Sequence, residues 1–332
     1  MALVPMRQIL EEAEKGKYGV GAYNVNNMEQ LQGILWAAEE TKSPVILQVS
    51  KTALEYTDKE LLVAMVKVIA NKYNDIPIAL HLDHGSNLEL VKEVIDLGFT
   101  SVMIDGSLEK DGKTPRSFDD NVRVTKEVAE YAHPLGVTVE GELGTLGGIE
   151  DGIAASEVIL TDPDDAKRFV EETGVDALAI AIGTSHGAYK FKATPKLALD
   201  IAEKVHQDLP NVFLVMHGSS SVPQDLVEEI NAYGGKVAKA MGVPIEVIQE
   251  AIGLGVRKIN IDTDGRLAFT GAIRKYFHEH PEVFDQRKYL GKGREAIHKW
   301  VKSKMIDFGT AGHAHDYQPL TLEDMKKFYS NR

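Results

Sequence analysis

The stretch "HLDHGSN" (residues 81–87) closes the apolar run "IPIAL" with two imidazoles and a carboxylate inside four positions. Asp83 and His84 are the pair with most chemistry to offer: an imidazole that can ligate a divalent cation, and beside it a carboxylate that the cation keeps ionised and able to exchange a proton with a substrate hydroxyl. Orientation of a metal-bound imidazole is the competing role for Asp83. Two further histidines follow short apolar runs, His186 in "GTSHG" and His217 in "MHGSSS". Three imidazoles with one open position match catalytic zinc, and a chain without cysteine leaves His, Asp and Glu as its ligands. The other histidines read as helix-face, loop or tail residues, with His81, on the same run as His84, the one to reconsider.

These side chains need elements that bring them together. Apolar, β-rich runs recur at 19–25, 44–50, 76–84, 101–107, 136–144, 177–183, 211–218 and 256–264, separated by amphipathic helical patterns such as "NMEQLQGILWAAEETK" and "NLELVKEVIDLG". Eight strands alternating with helices argue for a parallel sheet with crossover connections, and eight is the number that closes a (β/α)8 TIM barrel of about 250 residues. The expectation is an α/β chain forming one barrel domain over residues 1–332, with additional helices, a C-terminal helical extension from about 285 to 332, and a mobile loop after strand 5. A doubly wound open sheet is the alternative, but no G-x-G-x-x-G follows the first strand and no G-x-x-x-x-G-K-[ST] occurs anywhere.

In such a barrel the C-terminal strand ends converge on one face, where a polar residue needs a reason. Asn24, Ser50, Asp83, His84, Asp105, Ser107, Glu140, Glu142, His186, His217, Asn260, Asp262 and Thr263 all fall at such ends. Glu142 reads equally as an interior carboxylate paired with a basic residue such as Lys258. The segment 145–161, "TLGGIEDGIAASEVILT", is long for a plain connection, and Gly147, Gly148 and Gly152 would let it fold over the mouth and deliver Glu150 or Asp151. Small residues after His186 and His217 leave amides and hydroxyls open to an anion. Gly187, Gly218, Ser220, Asn260, Asp262 and Thr263 therefore read as a phosphate cradle, with Lys190 and Arg266 as nearby cations.

Composition narrows the partners. Hydrophobic residues make up 43% of the chain and the formal charge is −13, so the chain reads as globular, with a surface that repels nucleic acid and anionic lipid. No run approaches 18 apolar residues and the N-terminus lacks a sustained apolar segment, so the expectation is a cytoplasmic protein without membrane association.

Taken together, "LHLDHG", "MIDGS", "VEGELGTLGGIEDG", "GTSHGAYK", "HGSSSVP" and "KINIDTD" resemble the class II, metal-dependent fructose-1,6-bisphosphate aldolases, most closely the type B subgroup, over about residues 4–312. The resemblance implies Zn2+ on His84, His186 and His217, with Glu142 as an alternative ligand and Asp105 at a second cation site. It implies Asp83 as acid/base toward the C4 hydroxyl and Glu150 as the loop carboxylate that moves the proton on the dihydroxyacetone phosphate carbon. Gly187, Gly218, Ser220, Asn260, Asp262 and Thr263 match its substrate-binding set, with Asn24, Ser50 and Lys190 alongside and Arg266 reaching a phosphate on a neighbouring subunit. A homodimer or homotetramer and a monovalent cation (Na+ or K+) near the phosphate loops follow from the same likeness. So does aldol cleavage of fructose 1,6-bisphosphate to triose phosphates, in glycolysis or gluconeogenesis.

Tagatose-1,6-bisphosphate or another ketose phosphate is the near alternative, disfavoured by "HGSSSVP" and "NIDTDGR". A Schiff-base aldolase using Lys190 or Lys258, a metal-dependent hydrolase and a non-catalytic sugar-phosphate binder are the more distant ones. The tail beyond Ala314 runs past the family pattern and reads as a packed terminal helix.

Overall fold

The structure is a computed structural model that describes residues 3–109, 111–149, 155–187, 191, 195–316 and 318–332. Its strands, in chain order, are β1 (Val20–Asn24), β2 (Val45–Ser50), β3 (Ile78–Gly85), β4 (Ser101–Ile104), β5 (Thr138–Leu143), β6 (Gly147–Gly148), β7 (Ala177–Ile180), β8 (Ser185–His186), β9 (Phe213–Met216) and β10 (Val256–Ile261). Eight of them close a parallel barrel in the order β1-β10-β9-β7-β5-β4-β3-β2, and β6 pairs with β8 as a separate two-stranded sheet. Each apolar run read from the sequence coincides with one barrel strand to within a residue or a few, and the fold is the expected (β/α)8 barrel.

Side chains that offer the backbone an oxygen start many of the helices. Asn27 accepts from Gln30 N, Asn87 from Leu90 N, Ser117 from Asp120 N, and Asp162 from both Asp164 N and Asp165 N. Each such cap stabilises by about 1 kcal/mol and stops the preceding loop where the helix must begin.

Below the barrel lies a helix the strand count did not anticipate. Met6–Gly16 touches β1, β3, β9 and β10, so it spans the N-terminal opening, and its Met6, Ile9, Leu10 and Ala13 pack among Ala22, Ala79, Ala177, Ala179 and Val215 of the interior. The small interior residues leave the room that the plug fills. Above this apolar floor comes a polar layer of His81, Ser101, Glu140 and Lys258, each fully buried, and above that layer is the mouth. A second apolar cluster lies between the outer faces of the strands and the surrounding helices.

The C-terminal part is helical. Gln286–Asp307 packs on the helices Met28–Thr41 and Thr263–Glu279. The tail then folds under the barrel as the helix Leu322–Ser330, started by a reciprocal cap between Thr321 and Asp324 and docked on the turn His133–Leu135. It ends on buried Asp176 beside β7, where Tyr329 Oη (2.8 Å) and Arg332 Nη1 (3.0 Å) donate, alongside Arg7 Nη1 (2.9 Å), His133 Nε2 (3.0 Å) and Val139 N (2.9 Å). Burial pushes that carboxyl upward, but His133, the Arg7 charge and the Val139 amide outweigh it and hold it below its ordinary range.

Candidate metal centre at the barrel mouth

Side chains alternate along a strand, so β3 aims Ala79, His81 and Asp83 inward and should aim His84 away. The backbone resolves the conflict locally. The β3–β4 register shifts between Leu82 and Gly85, and His84 takes a left-handed φ of 47°, which turns its ring back into the mouth. Gly85 is needed at the same irregularity, because a Cβ there would lie 2.4 Å from Met103 O. Asp83 and His84, consecutive in sequence, therefore line one pocket with Asn24, Gln48, His186, His217, Gly218, Ser220, Asn260 and Asp262.

The three histidines arrive on three elements: β3, the short β8, and the end of β9. One nitrogen from each of His84, His186 and His217 lies within 4.8 Å of the others. Their neighbours decide which nitrogens are bare. His217 Nε2 faces Glu140 Oε1 at 2.9 Å, and His84 Nδ1 faces Asp105 Oδ2 at 3.2 Å. An ionised carboxylate only accepts, so each of these nitrogens carries the proton, leaving His217 Nδ1 and His84 Nε2 to face each other at 3.1 Å. Two lone pairs so placed require a cation between them, and ligand nitrogens around a tetrahedral zinc stand about 3.3 Å apart.

Without a metal the cation is a proton. Burial disfavours charge on His84, but Asp83, Asp105 and Glu142 outweigh it and push its pKa up to about 10. Burial, joined by His84, Lys258 and His186, drives His217 well below its ordinary value, so it stays neutral. Asp105 pays the desolvation cost of burial, yet the hydrogen bonds from His84 and Ser107 bring it down to about 2. Glu142 goes the other way, well above the usual carboxylate range, through burial and the charges of Asp105, Glu140 and Asp83.

His84 thus stands between two groups. Its Nε2 points to the imidazoles, and its Nδ1 to Asp105 and, at 3.9 Å, to Glu142 Oε2, an oxygen with no hydrogen-bond partner among the described residues. His84, Asp105 and Glu142 form a second set within 4.8 Å. The Glu142 backbone is fixed from outside by Asn121, whose Nδ2 donates to its carbonyl at 2.8 Å.

The remaining candidates separate into those at the pocket and those beside it. Asn24 lines the pocket and accepts from Gln48 Nε2 at 2.6 Å. Asp83 Oδ1 accepts from Asn260 Nδ2 at 3.2 Å. Ser50 caps the helix Lys51–Thr57 and opens onto an adjoining acidic cleft with His84 and Asp105. Thr263 begins the helix Thr263–Glu279, while Arg266 reaches back one turn to Asp262 Oδ2 at 2.5 Å within its own chain. Gly187 and Gly218 have positive φ of 76° and 63°, and a Cβ on them would meet Ile149 O at 2.5 Å and Ser185 O at 2.6 Å. Both histidine-glycine steps therefore require glycine. Glu150, Asp151, Gly152 and Lys190 lie outside the described residues. The stems of their loop are set: Gly147 and Gly148 pair with Ser185 and His186, and Thr145 pairs with Ile159.

Lys258 turns out to pair with Glu140 rather than Glu142, its Nζ 2.9 Å from Glu140 Oε2 and both side chains fully buried. Sealed below the mouth, it is out of reach of a carbonyl substrate, which removes it as a Schiff-base amine. His81, the reconsidered histidine, belongs to the same layer, with Nδ1 2.6 Å from Ser101 Oγ and the ring held neutral by burial and Lys258. Asp264 was passed over in the sequence. It is fully buried and accepts from Ser221 N (2.9 Å) and Val222 N (2.8 Å), clamping "HGSSSVP" into shape. The available signal was the second aspartate of "NIDTD", two residues past one already chosen.

A closed parallel barrel whose mouth collects a histidine triad and ionisable carboxylates defines a metal-dependent barrel enzyme. Comparison with known proteins makes this specific: the sequence profile described as fructose-bisphosphate aldolase class-II matches residues 4–313, and the chain belongs to that family of lyases. A fructose-bisphosphate aldolase from Giardia intestinalis is 58% identical over 99% of this chain and 100% of its own length. One from Pseudomonas aeruginosa is 48% identical over 99% of this chain and 98% of its own. Among solved structures, the YdjI aldolase from Escherichia coli K12 superposes with a TM-score of 0.74 at 31% identity, covering 94% of this chain and all of that one.

Proposed function

We propose that the chain catalyses the reversible aldol cleavage of fructose 1,6-bisphosphate to dihydroxyacetone phosphate and glyceraldehyde 3-phosphate, with Zn2+ held by His84, His186 and His217. The observation that carries it is the pair of imidazole nitrogens facing each other 3.1 Å apart, each on a ring whose other nitrogen is held by a carboxylate behind it. Nitrogen ligands in a cysteine-free chain favour zinc over harder cations. A zinc ion there supplies a Lewis acid that polarises the substrate ketone.

The chain's own groups do the rest. Asp83, at the pocket edge with one oxygen held by Asn260, removes the C4 hydroxyl proton, the C3–C4 bond breaks, and its electron pair passes toward the C2 oxygen. Glu150 then delivers a proton to C3. Gly187, Gly218, Ser220, Asn260, Asp262 and Thr263 bind the substrate and its phosphates, with Lys190, Arg266, Ser50 and Asn24 alongside. Glu142 would offer an alternative carboxylate ligand beside the triad, and Asp105 would serve a second cation. A monovalent cation near the phosphate loops belongs to the same reading and is carried by family membership.

We further propose one domain spanning residues 1–332, self-association as a homodimer or homotetramer, and a cytoplasmic location. Exposed Met28, Trp36 and Val68 around an apolar cleft of about 630 Å³ support the self-association. Among the described residues no helix is long and apolar enough to cross a membrane.

The test is the rate of triose-phosphate formation from fructose 1,6-bisphosphate before EDTA, after it, and after zinc is restored. Loss and recovery are expected. Activity indifferent to the chelator would sink the metal reading and return Lys190 to candidacy, and cleavage of tagatose 1,6-bisphosphate alone would move the substrate to the C4 epimer.

A further inference from the structure

Beneath the histidines, buried polar side chains form a circuit that joins a metal-holding group to the proton-moving one. Lys258 Nζ lies 2.9 Å from Glu140 Oε2 and donates to Asn260 Oδ1 at 2.8 Å. The other oxygen of Glu140 lies 2.9 Å from His217 Nε2, and Asn260 Nδ2 donates to Asp83 Oδ1 at 3.2 Å. An ammonium has protons and no lone pair, so Asn260 must present its oxygen to Lys258 and its NH2 upward to Asp83. Asn260 Nδ2 also lies 3.2 Å from His217 Nε2, so the competing arrangement has that amide donating to a bare Nε2. Glu140, the ion-pair partner of Lys258, turns its other oxygen to His217 Nε2 as an acceptor, and that shorter approach keeps the proton on Nε2.

We propose that Lys258 is a positioning residue of the reaction. Through Asn260 it sets the hydrogen bond that Asp83 receives, and through Glu140 it fixes the tautomer in which His217 offers Nδ1 to a metal. The inference rests on the roles given above to Asp83 and His217. Its rival is that Lys258 and Glu140 merely balance charge, a task that neutral residues of similar volume often replace without loss.

The double variant Lys258→Met with Glu140→Gln separates the two. It removes both charges, keeps through the glutamine oxygen an acceptor for His217 Nε2–H, and deprives Asn260 of its donor. Expected are a Tm within a few degrees of the wild type, a Zn2+ Kd by chelator competition within about threefold, and a kcat lowered roughly 10–100-fold with little change in KM. A folded, zinc-loaded double variant with wild-type kcat would overturn the proposal. A second measurement needs no variant: 15N-histidine spectra of the wild-type chain, zinc-free and zinc-loaded. A proton on His217 Nε2 in both is expected, and a proton on Nδ1 instead would overturn the Glu140 arm. Failure of the wild type to bind zinc would refute the metal reading of the site, while the zinc-free spectrum would still decide this one.

Discussion

Loading the metal centre with zinc should expel a proton. In the metal-free chain His84 carries one, its pKa raised to about 10 because Asp83, Asp105 and Glu142 outweigh the penalty of burial. His217 is neutral, and its Nδ1 stands 3.1 Å from His84 Nε2, so the proton sits where the cation must bind. Zinc takes only the neutral imidazole. At pH 7.5 the proton is held by roughly 2.5 pH units, and at 1.36 kcal/mol per unit its displacement costs about 3 kcal/mol, a weakening of apparent affinity by a few hundredfold. The sign follows from the raised pKa: the blocking proton is bound below pH 10 and lost above it, so affinity rises about tenfold per pH unit between 7 and 9. Glu142, also pushed upward, adds a second proton if its carboxylate joins the ion. Calorimetric titration of Zn2+ into the chelator-stripped protein at pH 7.5, in two buffers of different ionisation enthalpy, gives the protons released, expected at about one to two per site. Zero release, or a Kd flat from pH 6.5 to 8.5, would refute the assignment of that proton to the metal's place.

Other perturbations separate chemistry, metal binding and stability. Asp83→Asn keeps a hydrogen-bonding shape but removes the base, so cleavage should fall about 10²–10⁴-fold with zinc affinity near wild type; a parallel loss of zinc would make Asp83 an orienter instead. Gly218→Ala forces a left-handed alanine whose Cβ meets Ser185 O at 2.6 Å and pushes on the strand that carries His186. It should cost about 1–3 kcal/mol in denaturant unfolding and weaken zinc at least tenfold, and an unchanged Kd would show that this step does not hold His186 in place. A chain ending at Gln318 loses the Tyr329 and Arg332 donors to Asp176, each worth about 1.5–3 kcal/mol before the ordering entropy of the tail is subtracted. Its Tm should drop by several degrees with kcat at 25 °C unchanged, and a loss of turnover without a loss of Tm would contradict a purely stabilising tail.

The barrel was legible because its signal is local and repeated. Each strand is a short β-rich run, several helices begin at a side chain such as Asn27, Asn87 or Asp162 that caps them, and eight repeats leave few ways to close the sheet. The histidine triad was legible for the same reason: strand ends of a parallel barrel meet on one face whatever the loops do. The plug helix Met6–Gly16 was not, because its apolar residues match any amphipathic helix and only the hollow left by Ala22, Ala79, Ala177 and Ala179 says where they go.

What the sequence determined by itself was which residue types reach the mouth: His84, His186, His217, Asp83 and Glu142 of β5. The tertiary structure alone decided how they are used. The bulge and left-handed backbone at His84 put two consecutive residues on one face, against the alternation of the strand. The partner of Lys258 became Glu140 rather than Glu142, because barrel shear sets which inward residues share a layer, and shear is a property of the closed sheet rather than of any one strand. The choice of bare nitrogen on each imidazole came from carboxylates distant in sequence, 21 residues away for His84 and 77 for His217. Hydrogen-bond direction is fixed by contact, and no local pattern encodes a contact made across a barrel.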